Sequence, residues 1–240
     1  MKISFHQGKS KSVLTVGDSK IFLNKKSDAL KLGTDFIVNP SKLTLKDGGG
    51  LNKAIHKAAG PVLDAACSHI KADKNGTRCE YGKAKITQAG KLSHAAVIHT
   101  VGPDLQAKKG HKPSKQDAKN LAHCYTNSCK LADLFCKYVA KPKGKHAVFL
   151  KKVDSQHESA LRAKLASKKG ISITVPCIST GIFKYPEDEA AKTQMKALVD
   201  YLKDHQGHKS HIKEIHIVTK GDGTSVEKEM QAAYKALGGK

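Results

Sequence analysis

The sequence predicts an α/β fold with a largely parallel sheet and helices on both faces. Short β-branched runs alternate with segments of helical period through most of the chain, and that alternation produces parallel strands joined by crossover helices. Two of those runs also pass through small polar and glycine-rich loops straight into helix patterns. The 240 residues suit one domain, 1–240, with an N-terminal hairpin at about 12–24 and a Lys-rich insertion at about 136–170.

"SVLTVGDSKIFLN" (12–24) reads as two strands turning at Gly17-Asp18. "DFIVN" (35–39) is a short buried strand. The next segment, 51–70, places Ile55, Ala59, Leu63 and Cys67 at helical spacing, interrupted at Gly60-Pro61. Strands are expected at 82–90 and 95–101, a helix at 114–136 and a strand at 172–178. The helix at 186–205 opens with Pro and acids, which a helix N-terminus favours. A strand at 212–219 and a closing helix at 225–237 complete the pattern. The insertion carries many lysines, Arg162 and only two acids, Asp154 and Glu158. It is expected to add a strand and a helix at the sheet edge.

Charge is the outlier in composition. Forty-three Lys and Arg against 21 Asp and Glu give +22, almost all of it from lysine. Such a field attracts nucleic acid, anionic membrane or phosphorylated ligands. Lysine lacks the fork of arginine, so the attraction is non-specific rather than a base readout. The absence of Trp and an aromatic content of 5% argue against a carbohydrate or aromatic-cage reader. Six cysteines without a C-x-x-C pair read as reduced thiols in an intracellular protein. Cys129 and Cys136 are expected to share a buried helix face. His123, Cys124 and Cys129 lack a second half-site for zinc, so no metal is expected. Nothing resembles a signal peptide or a membrane span, and a soluble monomer without a cofactor is the expectation.

The chemistry concentrates in two loops. After the strand ending at Asn39, Gly48-Gly49-Gly50 lead into a helix beginning near Leu51. Free N–H groups at that terminus, plus roughly half a positive charge from the helix dipole, suit a phosphate. The pattern is neither G-x-G-x-x-G nor a P-loop. In "VPCISTGIFKYP" (175–186), Ser179, Thr180 and Gly181 offer backbone and hydroxyl donors, and Phe183 can pack on a sugar face. Two such loops at one sheet edge would clamp a diphosphate.

In order, "SDALKLGTDFIVNP", "DGGGLNKAIHKAAGP", "GKAKITQAGKL", "AAVIHTVGP" and "ISTGIFKYP" resemble the macro domain family, which binds ADP-ribose. The resemblance runs from Ile21 to about Leu237 and implies a three-layer α/β/α sandwich around a mixed, mostly parallel sheet. It implies that Asp28 accepts from the adenine amino group and that Ala29 adds its backbone N–H. Asn39 would position the first loop. Gly48, Gly49, Gly50 and Leu51 would line the distal ribose and phosphate. Ser179, Thr180, Gly181, Ile182 and Phe183 would wrap the diphosphate, and His99 would be structural. Two departures stand out. Hydrolytic members usually carry Asn where this chain has Lys42, and many carry an acid where it has Asn52. The leading expectation is therefore a pocket for ADP-ribose or ADP-ribosylated protein. The alternative is a mono-ADP-ribosyl or ADP-ribose ester hydrolase with Asn39 and Asn52 as candidate catalytic residues. A further alternative is polyanion binding, to nucleic acid or poly(ADP-ribose), through the basic surface.

Overall fold

The structure is a computed structural model that describes residues 1–140, 155–167, 169–206 and 210–239. Its strands are β1 (Ile3–His6), β2 (Lys11–Val16), β3 (Ser19–Asn24), β4 (Phe36–Pro40), β5 (Ala84–Thr87), β6 (Ala96–Thr100), β7 (Ile171–Pro176) and β8 (Ile212–Val218). They form one sheet in the order β1-β2-β3-β8-β7-β4-β6-β5. From β3 through β6 every neighbouring pair is parallel, while β1, β2 and β3 pair antiparallel, as do β5 and β6. The hairpin turns at Gly17, whose φ of +65° suits glycine. β1 extends the antiparallel edge beyond the expected hairpin.

Side chains alternate between two cores because the strand period is two. Phe36 and Val38 of β4 face α3 (Lys115–Ala140), α4 (Ser155–Ala166), α5 (Glu187–Asp204) and α6 (Thr224–Ala236). Ile37 faces the other way, against α1 (Gly50–Ala59) and α2 (Pro61–Ser68). β6 repeats the rule, with Ala96 and Ile98 on the first side and Val97 on the second. The result is the three-layer sandwich. Burying each such Ile, Val or Phe contributes roughly 1.5–3 kcal/mol. Phe36 and Phe135 add an edge-on ring contact at 5.6 Å. Cys129 and Cys136 both lie in this first core, as their seven-residue spacing predicts. The α1–α2 break falls where expected: Gly60 at φ +75° ends one helix, and Pro61 opens the next.

The insertion differs from expectation. Its first residues extend α3 to Ala140, and its second half forms α4. The strand expected there falls largely on 141–154, outside the described residues. α4 does not lie at the sheet edge. It packs on α3 and on β7 in the interior of the sheet. Arg162 donates to the carbonyl of Val139, and Lys164 pairs with Asp35 at 2.8 Å. Asp35 precedes β4 and accepts from the Ser172 amide at the start of β7. α4 is thereby fixed at the strand N-termini, and the opposite end of the sheet stays open.

Candidate functional site

At that opposite end, the four adjacent parallel strands β3, β8, β7 and β4 all terminate on one side. The loops leaving them enclose a cavity of about 740 Å3. Ser27–Ala29 follow β3 and Thr219–Val226 follow β8. Pro176–Phe183 close β7, while Pro40–Lys42 and Gly48–Asn52 belong to the β4–α1 loop. With neighbouring strands ~4.8 Å apart, three strand spacings give a cleft on the order of 14 Å long. An elongated ligand fits such a space at the carboxyl edge of a parallel sheet.

The three glycines at the β4–α1 junction differ in what a side chain there would meet. A Cβ on Gly48 would stand 2.9 Å from Asn52 Nδ2, and one on Gly49 would stand 2.5 Å from Ile182 Cδ1. Gly50 has open space but sits at φ +58°. α1 then starts with no side-chain cap and no acid in its first turn, which leaves its N-terminal N–H groups and dipole uncompensated.

Behind this loop runs a buried polar chain whose direction is fixed at both ends. Asn52 Nδ2 donates to the carbonyl of Lys46 at 3.1 Å, so Asn52 Oδ1 must face Asn39. Asn39 Nδ2 donates to that oxygen at 2.8 Å and to His99 Nδ1 at 3.2 Å. His99 therefore carries its proton on Nε2, which donates to Thr87 Oγ1 at 2.9 Å. Thr87 in turn donates to the carbonyl of Gln88. A carbonyl can only accept, and each end of the chain is a carbonyl, so one tautomer and one amide orientation satisfy every link. Burial, with His56 nearby, lowers the His99 pKa to about 3 and keeps the ring neutral. Asn39 is fully buried and does not line the cavity; it reaches the site only through Asn52. Asn52 lines the cavity, but both ends of its amide are engaged within the protein.

On the β7 side, Thr180 spends its hydroxyl proton on the Cys177 carbonyl at 3.0 Å. Ser179 is held at φ +67°, and its Oγ is buried without a hydrogen-bond partner, as is Ser41 Oγ across the cavity. Both residues line the cavity, but each hydroxyl oxygen is itself buried. Ile182 is 52% exposed and spans the mouth to Gly49. Phe183 lines the wall, and its carbonyl accepts from Leu105 at 2.9 Å. At the far end, Asp28 Oδ1 caps a 3-10 turn by accepting from Leu30 N at 3.0 Å, and Ala29 is buried in that turn. The Asp28 side chain remains 48% exposed, with acceptor capacity left over.

All the sequence-derived candidates except Asn39 line this one cavity. The β8–α6 loop, Thr219–Val226, was missed. Its signal was present in "TKGDGTSVE", a strand end followed by Gly-Asp-Gly and a Thr-Ser helix start.

His56, Cys67 and His99 form a buried group whose ligand atoms lie within 4.8 Å of one another. The set does not suit a metal. His99 Nε2 holds a proton rather than a lone pair, and burial pushes the Cys67 thiol up to about 12.

The family model described as Macro domain matches residues 38–194. The chain belongs to the macro domain family. It is 34% identical to ADP-ribose glycohydrolase MACROD1 of Bos taurus over 181 residues, 75% of this chain and 42% of that protein. It is also 34% identical to O-acetyl-ADP-ribose deacetylase of Klebsiella pneumoniae over 175 residues, 73% of this chain and 77% of that one. The matched part of this chain thus spans less than half of the bovine relative. In fold it matches the Oceanobacillus iheyensis macrodomain solved with ADP, at a TM-score of 0.67 and 24% identity, covering 98% of this chain and 100% of the other. The Trypanosoma brucei macrodomain in complex with ADP-ribose matches at 0.60 and 23% identity over 87% and 68% of the two chains.

Proposed function

We propose that this macro domain binds ADP-ribose, free or attached to protein, in the cavity at the carboxyl ends of β3, β8, β7 and β4. The observation that carries the reading is the two-ended layout of the cleft. A carboxylate, Asp28, stands at the β3 end, and an uncapped helix N-terminus behind three glycines stands at the β4 end. Adenine lies by Asp28 and Ala29, where a carboxylate accepts from an amino group and disfavours the carbonyl of guanine. The diphosphate lies between the β4 and β7 loops, against the backbone of Gly48–Gly50 and Ser179–Gly181. The distal ribose rests on Gly48–Asn52. The bovine relative is an ADP-ribose glycohydrolase and the Klebsiella one an O-acetyl-ADP-ribose deacetylase, which supports the ligand class.

The same two relatives favour hydrolysis as a second reading. Against it, Asn52 has no ionisable group, and its amide is committed to Asn39 and Lys46. General acid–base catalysis needs a titratable group within reach of the bond that breaks. Binding is therefore the primary function. The +22 charge adds long-range attraction for anionic partners, including ADP-ribosylated chains and nucleic acid. A reduced, intracellular monomer is consistent with six free cysteines; among the described residues no helix is long and apolar enough to cross a membrane. Calorimetric titration with ADP-ribose tests the reading. Asp28→Ala is expected to weaken binding at least tenfold, and unchanged affinity in that variant would remove the pocket assignment.

A further inference from the structure

We propose that Glu227, paired with Lys25, is a positioning residue that sets the adenine end of the cleft and with it the preference for a 6-amino purine. The inference rests on the ADP-ribose reading and extends it to residues behind the cavity wall. Glu227 lies in the first turn of α6 and is 9% exposed. One of its oxygens accepts from Lys25 Nζ at 2.8 Å and from Ser12 Oγ, the other from Gln7 Nε2 at 2.9 Å. Lys25 Nζ also donates to the carbonyl of Gly8 at 3.1 Å, and Gln7 Oε1 accepts from Gln231 of α6 at 3.0 Å. The β1–β2 connection, the exit of β3 and the start of α6 are thus tied at one buried carboxylate. Neither Glu227 nor Lys25 lines the cavity, and both lie outside the residues 38–194 that the family model matches.

Each partner leads directly to cleft residues. Ser27 and Asp28 follow Lys25, Ser225 and Val226 precede Glu227, and all four line the cavity. The Lys25 carbonyl accepts from Ser27 Oγ at 3.1 Å, and the Lys25 amide donates to the carbonyl of Ser10 at 3.0 Å. Between Lys25 and Ser27 the chain turns through Lys26 at φ +50°. A residue with a side chain keeps that left-handed conformation only where its surroundings enforce it. The Lys26 amide donates to the carbonyl of Gly221 at 3.3 Å, which joins the turn to the β8–α6 loop. Asp28 therefore leaves a strained turn that is anchored on one side by Lys25 and on the other by the loop leading to Glu227. A buried ion pair is often no more stabilising than apolar residues of similar size. Its role here is to fix the geometry in which Asp28 meets the 6-amino group, since a recognition side chain is only as well placed as its supports.

The test is calorimetric titration of the whole protein with ADP-ribose and with inosine diphosphate ribose, which carries a carbonyl where adenine has its amino group. Glu227→Leu and the double variant Lys25→Met/Glu227→Leu are compared with wild type, and thermal unfolding is recorded for each. The wild type is expected to favour ADP-ribose roughly tenfold or more, the effect of one hydrogen bond to a charged acceptor. In Glu227→Leu a buried ammonium loses its carboxylate, so the unfolding temperature falls and the ratio drops to about threefold or less. The double variant removes both charges, so its unfolding temperature is expected to recover toward wild type while the ratio stays low. That split separates positioning from stability. A folded double variant that keeps the wild-type ratio would make the pair structural only and overturn the proposal, as would a double variant that does not fold. Equal affinities for the two ligands in the wild type would also overturn it and leave binding in the cleft standing. Failure of the wild type to bind ADP-ribose would remove the underlying reading as well.

Discussion

Replacing Asn39 tests the buried chain from Lys46 to Gln88 by reversing its hydrogen-bond logic. In the wild type, one Asn39 amide N donates to two acceptors, Asn52 Oδ1 and His99 Nδ1, while Asn39 Oδ1 has no partner. Asn39→Leu strands both acceptors at about 1–3 kcal/mol each but also removes one unpartnered oxygen. The net loss is about one such penalty, roughly 2 kcal/mol. Asn39→Asp is worse, although it is closer in shape. It sets a carboxylate against two acceptors in a fully buried position, with an expected loss of about 4 kcal/mol or more at pH 8. The carboxyl's folded pKa is then raised above its unfolded value, so the deficit is largest above the folded pKa. It shrinks as the pH falls and a proton restores a donor. Urea denaturation of the two variants at pH 8 and pH 5 reads both effects. An Asn39→Asp protein as stable as wild type at pH 8 would refute the assigned direction of the chain.

Other outcomes follow from the same geometry. His99 has an unfolded pKa near 6.5 and a folded value of about 3, so the unfolded state gains a proton first on acidification. Stability conferred by neutral His99 is complete above pH 6.5 and falls by about 2 kcal/mol by pH 5; a His99→Gln protein should lose that part of the slope. Gly50→Ala should cost roughly 1–2 kcal/mol in thermal unfolding because a Cβ is strained at positive φ. Gly49→Ala meets only the tip of Ile182 and should cost less than half as much, since that side chain can swing aside. The double variant Lys42→Asn/Asn52→Asp restores the residue types of hydrolytic macro domains. It is expected to release ADP-ribose from mono-ADP-ribosylated protein faster than wild type; no increase would show that more than these two side chains separates binding from turnover.

The fold was legible wherever local pattern and tertiary role coincide. The strand–glycine–helix passages at 35–51 and 172–187 place both loops on one edge, and the Gly60-Pro61 break falls between two helices. The β8–α6 loop shows the same local pattern, but its neighbour in the sheet, β3, comes from the far end of the sequence, so local pattern alone does not reveal it as a wall of the site. Asn39 illustrates the converse. Sequence position gave it to the loop, yet its role is to hold Asn52 and His99, residues 13 and 60 positions away, and no local period encodes such a link. α4 was misplaced for a related reason. Its lysines read as an exposed edge, whereas Leu161 is buried and Lys164 is tied to Asp35.

We propose that ADP-ribose occupies the cleft across β3, β8, β7 and β4 with its adenine at the Asp28 end. Calorimetric titration with ADP-ribose, run on wild type and Asp28→Ala at low and moderate salt, tests it most directly. Wild-type binding is expected to persist in moderate salt and to be at least tenfold weaker in Asp28→Ala. Binding that vanishes with salt, or that is indifferent to Asp28, would contradict it and assign the affinity to the basic surface instead.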